Sequence, residues 1–469
     1  MTDPIRLSAR EVLDMLRAGT ISGGELLDAL EARIAAVDGA VNALPTLCFE
    51  RARERMAALE KRQPGARGIL GGLPVAIKDL ADVAGVRSTR GSPIFADTVP
   101  DASSHVVERI EDQGGIVYAK SNTPEFGAGA STFNEVFGIT RNPWNTARSA
   151  AGSSGGAAAA LASGTAWLAH GSDMGGSLRN PASFCGVVGL RPSPGRVPSG
   201  PAADPWSPLG VDGPMARNVG DCALFLDAMS GLDPRDPLTW PAPETSYRRA
   251  AEARNAPRRV AFSPDLGITP VDPAVAALCR AAAERFAEAG VIVEEAHPDL
   301  SEAHDVFQTL RAHDYAVGLG PLLDAHRGKL KDDVIWNIEK GRALTSADLE
   351  RAKRARAAMA GRAAAFLDDY DLLLCPTTVV PPFPAEQRTV EHCDGTDFET
   401  YIDWLAIVYA ITNVSLPALS LPCGFTGDGL PVGLQMVGRH RGEAALLSAA
   451  SVLEEILAVE TGPILPREG

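Results

Sequence analysis

The chain has 469 residues, of which 45% are hydrophobic and 22% are charged, and its formal net charge is −15 at pH 7. This length is sufficient for a large buried core, and the composition is ordinary for a globular enzyme. Because the balance of charge is acidic and basic runs are missing, we expect no nucleic-acid partner and no anionic membrane surface. No apolar stretch reaches the 18 or so residues that would predict a membrane-spanning helix.

The start of the chain has no charged segment followed by an apolar one, so the sequence predicts no signal peptide and a cytoplasmic location. The seven cysteines are odd in number and scattered, and they form no C-x-x-C pair. This pattern favours free buried thiols over a disulfide framework or a zinc site. We therefore expect neither a metal nor a cofactor.

Three amphipathic helices are predicted in the first part of the chain, over 9–18, 23–37 and 49–62. The first two follow Ser8 and Ser22, and Glu11 and Glu25 lie three positions after these serines. This spacing is a capping box, in which the serine and the glutamate each bind a free backbone N–H group of the helix start. We expect these helices to form an N-terminal layer over about 1–65.

An apolar run over 73–77 follows a Gly-Gly turn and predicts a buried strand with Lys78 at its end. Lysine is rarely buried unless it is paired. Two interpretations of Lys78 stay open at this point. In one, the side chain extends to place its ammonium in water. In the other, burial lowers its pKa and the neutral amine acts as a base.

The rest of the chain alternates helices with short apolar strands, which predicts an α/β fold. The predicted strands are 116–119, 258–263, 291–295, 371–375 and 417–421, and the predicted helices are 103–113, 273–289, 346–367, 397–411 and 442–457. The segment 192–212 is rich in proline and glycine and is expected to be a loop. Because no repeat and no linker divides the chain, one large domain is the simplest organisation.

Two serine clusters flanked by glycine lie close together, GSSGG at 152–156 and DMGGS at 173–177. Glycine lets a backbone approach a ligand closely, and successive N–H groups in such turns form concavities that bind negative charge. An alanine-rich run of helical composition follows the first cluster. The pattern indicates a site that holds an oxyanion beside a hydroxyl.

Several interpretations compete for the first cluster. As G-x-S-x-G it would be the nucleophile elbow of an α/β-hydrolase-type esterase with Ser154 as nucleophile, but the preceding residues are polar and turn-like where that motif requires a strand. As a phosphate cradle it lacks the lysine of a P-loop and the strand and acidic partner of a dinucleotide site. The glycines could instead serve packing alone. The interpretation that we favour combines Lys78, Ser153 and Ser177.

Three separated motifs resemble the amidase signature family in order and spacing. They are LPVAIKD around Lys78, GSSGG, and DMGGSLRNPASFCGVVGLRPS, in which Ser177 lies 24 positions after Ser153. The segments RNPWN at 141–145, GPMARNVGD at 213–221, and LPALSLPCGF with GLPVGLQMVGR near the C-terminus agree as well. The resemblance covers most of the chain and is weakest between about 230 and 395.

The resemblance implies the amidase signature fold, in which a mixed β-sheet core is covered by helices on both faces. It implies one domain over 1–469. After the N-terminal layer this domain would comprise a signature core over about 66–230, a variable substrate-side region over about 231–395 and a C-terminal core part over about 396–469.

The resemblance also implies an amide-bond hydrolase with a Ser-cisSer-Lys triad. Ser177 would be the nucleophile that forms an acyl-enzyme. Ser153, on a cis peptide bond, would relay the proton to neutral Lys78, which would be the base.

The same resemblance implies an oxyanion hole made by the backbone N–H groups of Met174, Gly175, Gly176 and Ser177. Ser154, Asp173 and Arg179 would support the site. Asp173 and Arg179 would hold the loop by hydrogen bonds, although an ordinary local ion pair explains them equally well. The family needs no histidine base, and His170, the histidine nearest Ser177 in sequence, is expected to be a core or rim residue.

The alternative within the family is the glutaminase subunit of a tRNA-dependent amidotransferase. Such subunits usually carry DEF and TEN before the glycine-rich loop, where this chain has PEF and TFN, and an EVKRRI-like segment whose arginine grips the glutamine carboxylate. In that place this chain reads DDVIWNIEKGRAL. Because a lone lysine does not reproduce the bidentate arginine, we favour a stand-alone amidase.

We expect a small to medium amide with an apolar or aromatic group, with esters or carbamates as further substrates. The aromatic candidates for lining its pocket, each of which could equally be plain core, are Phe126, Phe133, Trp336, Tyr401, Trp404 and Tyr409. The expected partner is the small amide substrate, and a homodimer is compatible with the sequence.

Overall fold

The computed structural model describes residues 3–460 and 462–469, which form fourteen α-helices and seventeen strands. The strands are β1 (Thr46–Leu47), β2 (Pro74–Lys78), β3 (Ile116–Ser121), β4 (Phe133–Asn134), β5 (Gly138–Ile139), β6 (Arg141–Asn142), β7 (Asn145–Ser149), β8 (Leu168–Asp173), β9 (Val188–Arg191), β10 (Val211–Ala216), β11 (Arg259–Phe262), β12 (Ile292–Glu295), β13 (Leu372–Pro376), β14 (His392–Cys393), β15 (Thr396–Asp397), β16 (Ala418–Phe425) and β17 (Pro431–Val437). The α-helices are α1 (Ala9–Ala18), α2 (Gly23–Val41), α3 (Phe49–Glu60), α4 (His105–Asp112), α5 (Gly155–Ser163), α6 (Arg179–Cys185), α7 (Val219–Met229), α8 (Tyr247–Ala253), α9 (Pro273–Glu284), α10 (Ala303–His326), α11 (Asp332–Ala343), α12 (Ser346–Asp369), α13 (Ala406–Asn413) and α14 (Glu443–Leu457).

Eleven strands form one mixed sheet in the order β1-β3-β2-β8-β10-β9-β16-β17-β13-β11-β12. β2 pairs in parallel with β3 and β8, and β11 pairs in parallel with β12 and β13. The pairings from β8 through β10, β9, β16 and β17 to β13 are antiparallel. The described part of the chain therefore folds as a single α/β domain around one mixed sheet, which confirms the predicted fold class.

The central strands of this sheet are covered on both faces. Successive side chains of a strand point to opposite faces, and every residue of β2, β3, β13 and β17 is buried. The alanine-rich helix α5 is likewise buried along its whole length. A helix that is apolar all round belongs in the interior, and its small alanine side chains let it lie close to the sheet.

The N-terminal helices begin where their capping boxes predict. Both boxes form, with Ser8 bound to Glu11 and Ser22 bound to Glu25. α2 continues four residues beyond the predicted end, until Asn42 adopts the left-handed conformation with φ of 57°. Asparagine adopts this conformation more readily than most residues, and it is a common helix terminator.

The helix predicted over 397–411 is wrong in its first half. Asp397 ends the short strand β15, a 3-10 turn covers Asp403–Leu405, and α13 begins only afterwards. The Asp403 carboxylate accepts hydrogen bonds from the N–H groups of Glu399 and Thr400. Such local side-chain bonds compete with a helix for the same backbone donors.

The sequence did not predict α10 and α11, which pack against each other. Residues 306–312 of α10 are all buried, so this helix lacks the alternation of apolar and polar faces by which an amphipathic helix is recognised. No helix within the described ranges is both long enough and apolar enough to cross a membrane.

A strand does precede the GSSGG cluster, contrary to expectation. β7 is partly exposed and pairs only with β6, in a two-stranded ribbon outside the main sheet. Its polar sequence NTARS reflects this exposure. The ribbon therefore lacks the buried sheet strand on which a nucleophile elbow is built.

Candidate active site

The sheet brings the sequence motifs together at one edge. β2 ends at Lys78, and the parallel neighbour β8 ends at Asp173, so the chain leaves both strands at the same side of the sheet. Ser177 lies in the loop between β8 and α6, and Ser153 lies just before α5. The carboxyl ends of parallel strands are the usual place for a binding site in such folds.

Lys78 is fully buried, which excludes the interpretation that its ammonium reaches water. Its Nζ donates to the Oγ atoms of Ser153 at 2.7 Å, Ser154 at 2.9 Å and Ser172 at 3.0 Å. Every one of these partners is a neutral hydroxyl. The amine therefore sits in a polar but uncharged shell, directly bonded to the hydroxyl of Ser153.

Burial lowers the pKa of Lys78 to about 7, and the negative charges of Asp212 and Asp173 oppose this shift. Removal from water penalises the charged ammonium more than the neutral amine. At neutral pH a large fraction of Lys78 is therefore unprotonated and able to accept a proton.

Ser153 and Ser177 line the same cavity, whose volume is about 410 Å³. The peptide bond Gly152–Ser153 is cis. The N–H of Ser154 donates to the carbonyl oxygen of Ser177 at 3.2 Å, which ties the two serine loops together. A hydroxyl bonded to the lysine and a second hydroxyl thus face one substrate-sized space.

Ser154 is fully buried and lies behind this cavity. Besides accepting from Lys78, its Oγ donates to the carbonyl oxygen of Ser172 at 3.2 Å. A Cβ atom on Gly171 would lie 2.9 Å from Ser154 Oγ, so the absence of a side chain at Gly171 lets β8 lie this close to Ser154. These contacts suit a supporting residue better than a nucleophile.

The carboxylate of Asp173 holds the loop that carries Ser177. Arg179 binds it with two hydrogen bonds, Nη2 to Oδ1 at 2.8 Å and Nε to Oδ2 at 3.0 Å, and Arg191 donates to Oδ1 at 3.2 Å. Burial alone would raise the pKa of Asp173, but the two guanidinium groups hold it well below its ordinary value. The ion pair between Asp173 and Arg179 is therefore buried, and it is joined by several hydrogen bonds that include Arg191.

The predicted oxyanion hole needs one correction. The N–H of Gly176 donates to Asp173 Oδ1 at 3.1 Å, so this donor is already engaged. Gly176 also has φ of +98°, which side-chain-bearing residues rarely adopt. Met174, Gly175 and Ser177 line the cavity, and their N–H groups are the remaining candidates.

Only Phe126 among the six predicted aromatics lines the cavity. Tyr409 lies one layer behind it, with its ring stacked at 4.3 Å on that of Phe307, a lining residue. Tyr401 is also one layer behind and accepts a hydrogen bond at 2.7 Å from Arg311, which lines the cavity.

The other three aromatics lie elsewhere, which corrects their expected place. Trp404 is buried against Phe383, and Trp336 lies beside Tyr401 in a separate surface depression. Phe133 packs under Arg388. Residue type alone could not identify the face on which each ring lies, because an aromatic side chain suits a core and a pocket equally well.

The walls of the cavity come largely from segments that the sequence analysis did not assign to the site. The loop predicted over 192–212 supplies one wall, although its last two residues begin β10, and α10 supplies another. The lining is apolar at Leu80, Phe126, Val197, Phe307, Ile402 and Leu405, and it has ionisable side chains at Asp173, Asp204, Asp212, Asp236, Asp314 and Arg311.

Sequence reasoning missed two residues next to Lys78. Ser172 stands in the sequence GSDMGGS, directly before Asp173. Side chains alternate along a strand, so the side chain of Ser172 points to the face opposite to that of Asp173, and there it meets Lys78. This signal was available in the sequence. Asp212 gave no local signal, since it reaches the site only because β10 pairs with β8 and places it opposite Ser172. His170 is buried, and its Nε2 lies 2.9 Å from Asp212 Oδ1.

Comparison with known proteins gives matches over nearly the whole chain. The Amidase family model matches residues 25–447. The acylamidase of Rhodococcus erythropolis is 37% identical over 456 residues, covering 96% of this chain and 95% of the relative. A glutamyl-tRNA(Gln) amidotransferase subunit from Moorella thermoacetica is 36% identical over 489 residues, covering 96% of each chain.

Among solved structures, that of a bacterial aryl acylamidase of the amidase signature family superposes with a TM-score of 0.89. It is 26% identical in sequence, and the match covers 96% of each chain. The family model, the relatives and the fold agree over nearly the whole length. The chain therefore belongs to the amidase signature family, and it is an amide-bond hydrolase.

Proposed function

We propose that this protein is a stand-alone amidase that hydrolyses a small to medium amide through an acyl-enzyme on Ser177. The observation that carries the proposal is the buried Lys78 amine, bonded at 2.7 Å to Ser153 Oγ at the wall of the cavity that Ser177 also lines. This arrangement provides a base, a relay hydroxyl and a second hydroxyl open to substrate.

In the first step Ser177 Oγ attacks the amide carbonyl carbon, and its proton passes to Ser153 while Ser153 gives its own proton to Lys78. The resulting ammonium then returns a proton through Ser153 to the leaving nitrogen, and the C–N bond breaks to release the amine. A base is most effective when its pKa is near the working pH. The lowered pKa of Lys78, about 7, meets this condition.

The tetrahedral intermediate carries a negative oxygen, and the N–H groups of Met174, Gly175 and Ser177, which line the cavity, are the donors assigned to it in this proposal. Asp173 accepts from the N–H groups of Gly176 and Leu178, each at 3.1 Å, which fixes the loop in shape. Donors that are fixed before the reaction stabilise a developing oxyanion without further reorganisation. A water molecule would then attack the acyl-enzyme by the reverse proton path and release the carboxylic acid.

The preference for a stand-alone enzyme is supported by one structural observation. The first two relatives have comparable identity, one named an acylamidase and the other a subunit of an amidotransferase, so similarity alone does not choose. However, α11, where the basic segment of the subunits would lie, contributes no lining residue within the described cavity. Esters, carbamates, the cytoplasmic location, the homodimer and the subdivision of the domain stay predictions.

The triad is tested with a p-nitroanilide of a short fatty acid. We expect Ser177→Ala and Lys78→Met each to lower kcat at least about 10³-fold, because both remove a covalent or proton-transfer role. Mass spectrometry of the wild type quenched during turnover should place the acyl group on the peptide that contains Ser177. Ser154→Ala is the matched serine control, with a smaller loss expected because it removes only one bond to Lys78.

Activity that survives Ser177→Ala and is lost in Ser154→Ala would reject the triad in favour of the esterase mechanism. Rapid hydrolysis of free glutamine without hydrolysis of anilides would reject the stand-alone assignment in favour of the glutaminase subunit.

A further inference from the structure

Arg311 is a buried cation on the wall of the cavity. It is only 5% exposed, and it lies on α10. Its Nη1 donates to Asn337 Oδ1, and its Nη2 donates to the hydroxyl oxygens of Tyr315 at 3.1 Å and Tyr401 at 2.7 Å. All three partners are neutral, and within the described ranges no carboxylate lies at ion-pair distance from this guanidinium.

Two other buried arginines differ from Arg311 in that each binds a carboxylate directly. Arg179 and Arg191 are also buried at the site, and both bind the Asp173 carboxylate. A buried charge is costly unless it is paired, and interior arginines are therefore usually matched with acids. Arg311 is thus a cation at the cavity wall with no carboxylate in direct contact among the described residues. The negative charge of Asp333 acts on it from beyond ion-pair distance, and Asp333 itself pairs with Lys331 at 3.2 Å.

The carboxylates of the cavity are engaged elsewhere. Their donors are Ser199 and His170 for Asp212, the N–H groups of Ser199 and Leu238 for Asp236, Ser207 for Asp314, and the N–H of Trp206 for Asp204. Burial also raises the pKa of Asp314, which favours its neutral form. None of these carboxylates binds Arg311 directly, so a carboxylate in direct contact with its guanidinium would be one that a bound molecule brings.

The position of Arg311 along α10 sets its distance from the reacting centre. A Cβ atom on Gly175 would lie 3.1 Å from the ring of Phe307, so α10 touches the loop of Ser177 at this residue. Arg311 follows four positions later, on the same helix face and about 6 Å away. Gly129 also lines the cavity, and a Cβ atom there would lie 3.8 Å from both Tyr401 and Lys331. Tyr401, which binds Arg311, is therefore close to the cavity wall.

We propose that Arg311 is an anchor for a carboxylate on the substrate, about one helical turn from the scissile carbonyl. Tyr315 and Tyr401 accept both Nη2 hydrogens, so the N–H groups left for a carboxylate are those of Nε and the second one of Nη1. A charge-assisted hydrogen bond to a buried cation is stronger than one between neutral groups. The inference rests on the proposed function and names the substrate class of the same site, an amide that carries an acid group.

The test compares pairs of anilides in which one member carries a carboxylate and the other a methyl ketone in its place. Succinyl-p-nitroanilide carries a carboxylate, and the 4-oxopentanoyl analogue has a methyl group in place of one carboxylate oxygen. Malonyl, glutaryl and adipoyl homologues with their methyl ketones vary the spacing, and N-acetyl-4-aminobenzoate with its methyl ketone places the acid on the amine side. The quantity measured is the ratio of kcat/KM for acid over ketone, in which general damage to the enzyme cancels.

We expect this ratio to exceed 1 in the wild type, by roughly 10- to 100-fold at the best spacing. It should fall in Arg311→Lys, which keeps the charge but not the positions of the guanidinium N–H groups, and approach 1 in Arg311→Met, mainly through a higher KM for the acid. Arg342→Met, an exposed arginine on α11 paired with Asp324, is the control and should leave the ratio unchanged.

A wild-type ratio at or below 1 for every spacing and on both sides of the amide would overturn the anchor, and this readout needs no folded variant. If the ketones are hydrolysed and Ser177→Ala abolishes that hydrolysis, the proposed function stands while the anchor fails. If the wild type hydrolyses no anilide at all, the proposed function itself fails.

Discussion

Two lysines are fully buried on adjacent strands, and their surroundings separate their roles. Lys120 on β3 binds the Asp79 carboxylate at 2.8 Å and the Ser88 hydroxyl at 2.7 Å. Lys78 on β2 binds only hydroxyl groups and a carbonyl oxygen. A paired lysine is a structural ion, whereas one surrounded by neutral groups can lose its proton near pH 7.

The acidic limb of the pH profile should report Lys78. Only the neutral amine can act as base, so kcat/KM should rise with pH and reach half its maximum near pH 7, the pKa of Lys78. Asp212 raises this pKa by its negative charge. Asp212→Asn should therefore move the limb to lower pH, so that at pH 6 the variant keeps a larger share of its maximal rate. The measurement is kcat/KM between pH 5 and pH 9.

Asp314→Asn provides the control, since this carboxylate also lines the cavity but binds Ser207. The acidic limb of the kcat/KM profile of Asp314→Asn should coincide with that of the wild type. A limb that stays fixed, or moves to higher pH, in Asp212→Asn would contradict the role given to its charge.

Residues of the candidate site that lie within a sequence motif could be predicted. Residues that reach the site only through contacts between distant strands and helices could not. Lys78, Ser153 and Ser177 each lie in a recognisable motif, and the structure brings the three motifs to one edge of the sheet. Asp212 and Arg311 have no such signal, because β10 and α10 place them through contacts between residues distant in sequence. A local pattern carries no information on such contacts.

At the scale of elements, α6 lies directly on the sheet because Gly189 has no side chain. Gly189 belongs to β9, and a Cβ atom there would lie 2.2 Å from the carbonyl oxygen of Leu178, at the start of α6. Leu178 directly follows Ser177. The position of the loop that carries Ser177 therefore depends on this close approach.

Gly189→Ala should destabilise the protein and disturb the site together. The added methyl meets backbone, which cannot rotate away, so we expect a loss of about 1–3 kcal/mol or more in the free energy of unfolding. Because the displaced segment adjoins Ser177, kcat should fall as well. Thermal unfolding and anilide hydrolysis measure the two effects.

Gly361→Ala is the matched substitution, in the exposed interior of α12 with open space around its Cβ position. Alanine is a better helix former than glycine by roughly 1 kcal/mol, so this variant should gain stability with unchanged kcat. Equal stability in Gly189→Ala and the wild type would show that α6 can shift at little cost.

Elements with strong local signals were predicted best. The capping boxes fixed the starts of α1 and α2, and the apolar runs identified β2 and β3. The strand β8 and the helices α10 and α11 escaped, because burial on all sides or a weak apolar stripe removes the periodicity on which such predictions depend.

At the scale of the whole molecule, a partly buried polar cluster joins distant parts of the chain. Asp221 on α7 accepts from the N–H groups of Ala9 and Arg10 at the start of α1. Glu454 on α14 accepts from the N–H of Val219 at 2.8 Å. Three helices from the beginning, the middle and the end of the chain thus meet at two neighbouring carboxyl groups.

This cluster should make stability depend on pH. Burial raises the pKa of Glu454 from 4.5 to about 7, and the charge of Asp221 adds to the shift, while Arg10 and Arg254 oppose it. The folded protein therefore holds this proton more tightly than the unfolded chain. The stabilisation is complete below about pH 4.5, is lost as the pH rises toward 7, and changes no further above that.

Glu454→Gln keeps an oxygen for the Val219 N–H but cannot ionise, so its thermal midpoint should fall less than that of the wild type between pH 5 and pH 8. A difference on the order of 2 °C is expected. Glu455→Gln, the exposed neighbour that pairs with Arg254, should retain the wild-type slope. If the thermal midpoints of all three proteins fall in parallel over this range, the ionisation of Glu454 is not the cause of the pH dependence of stability.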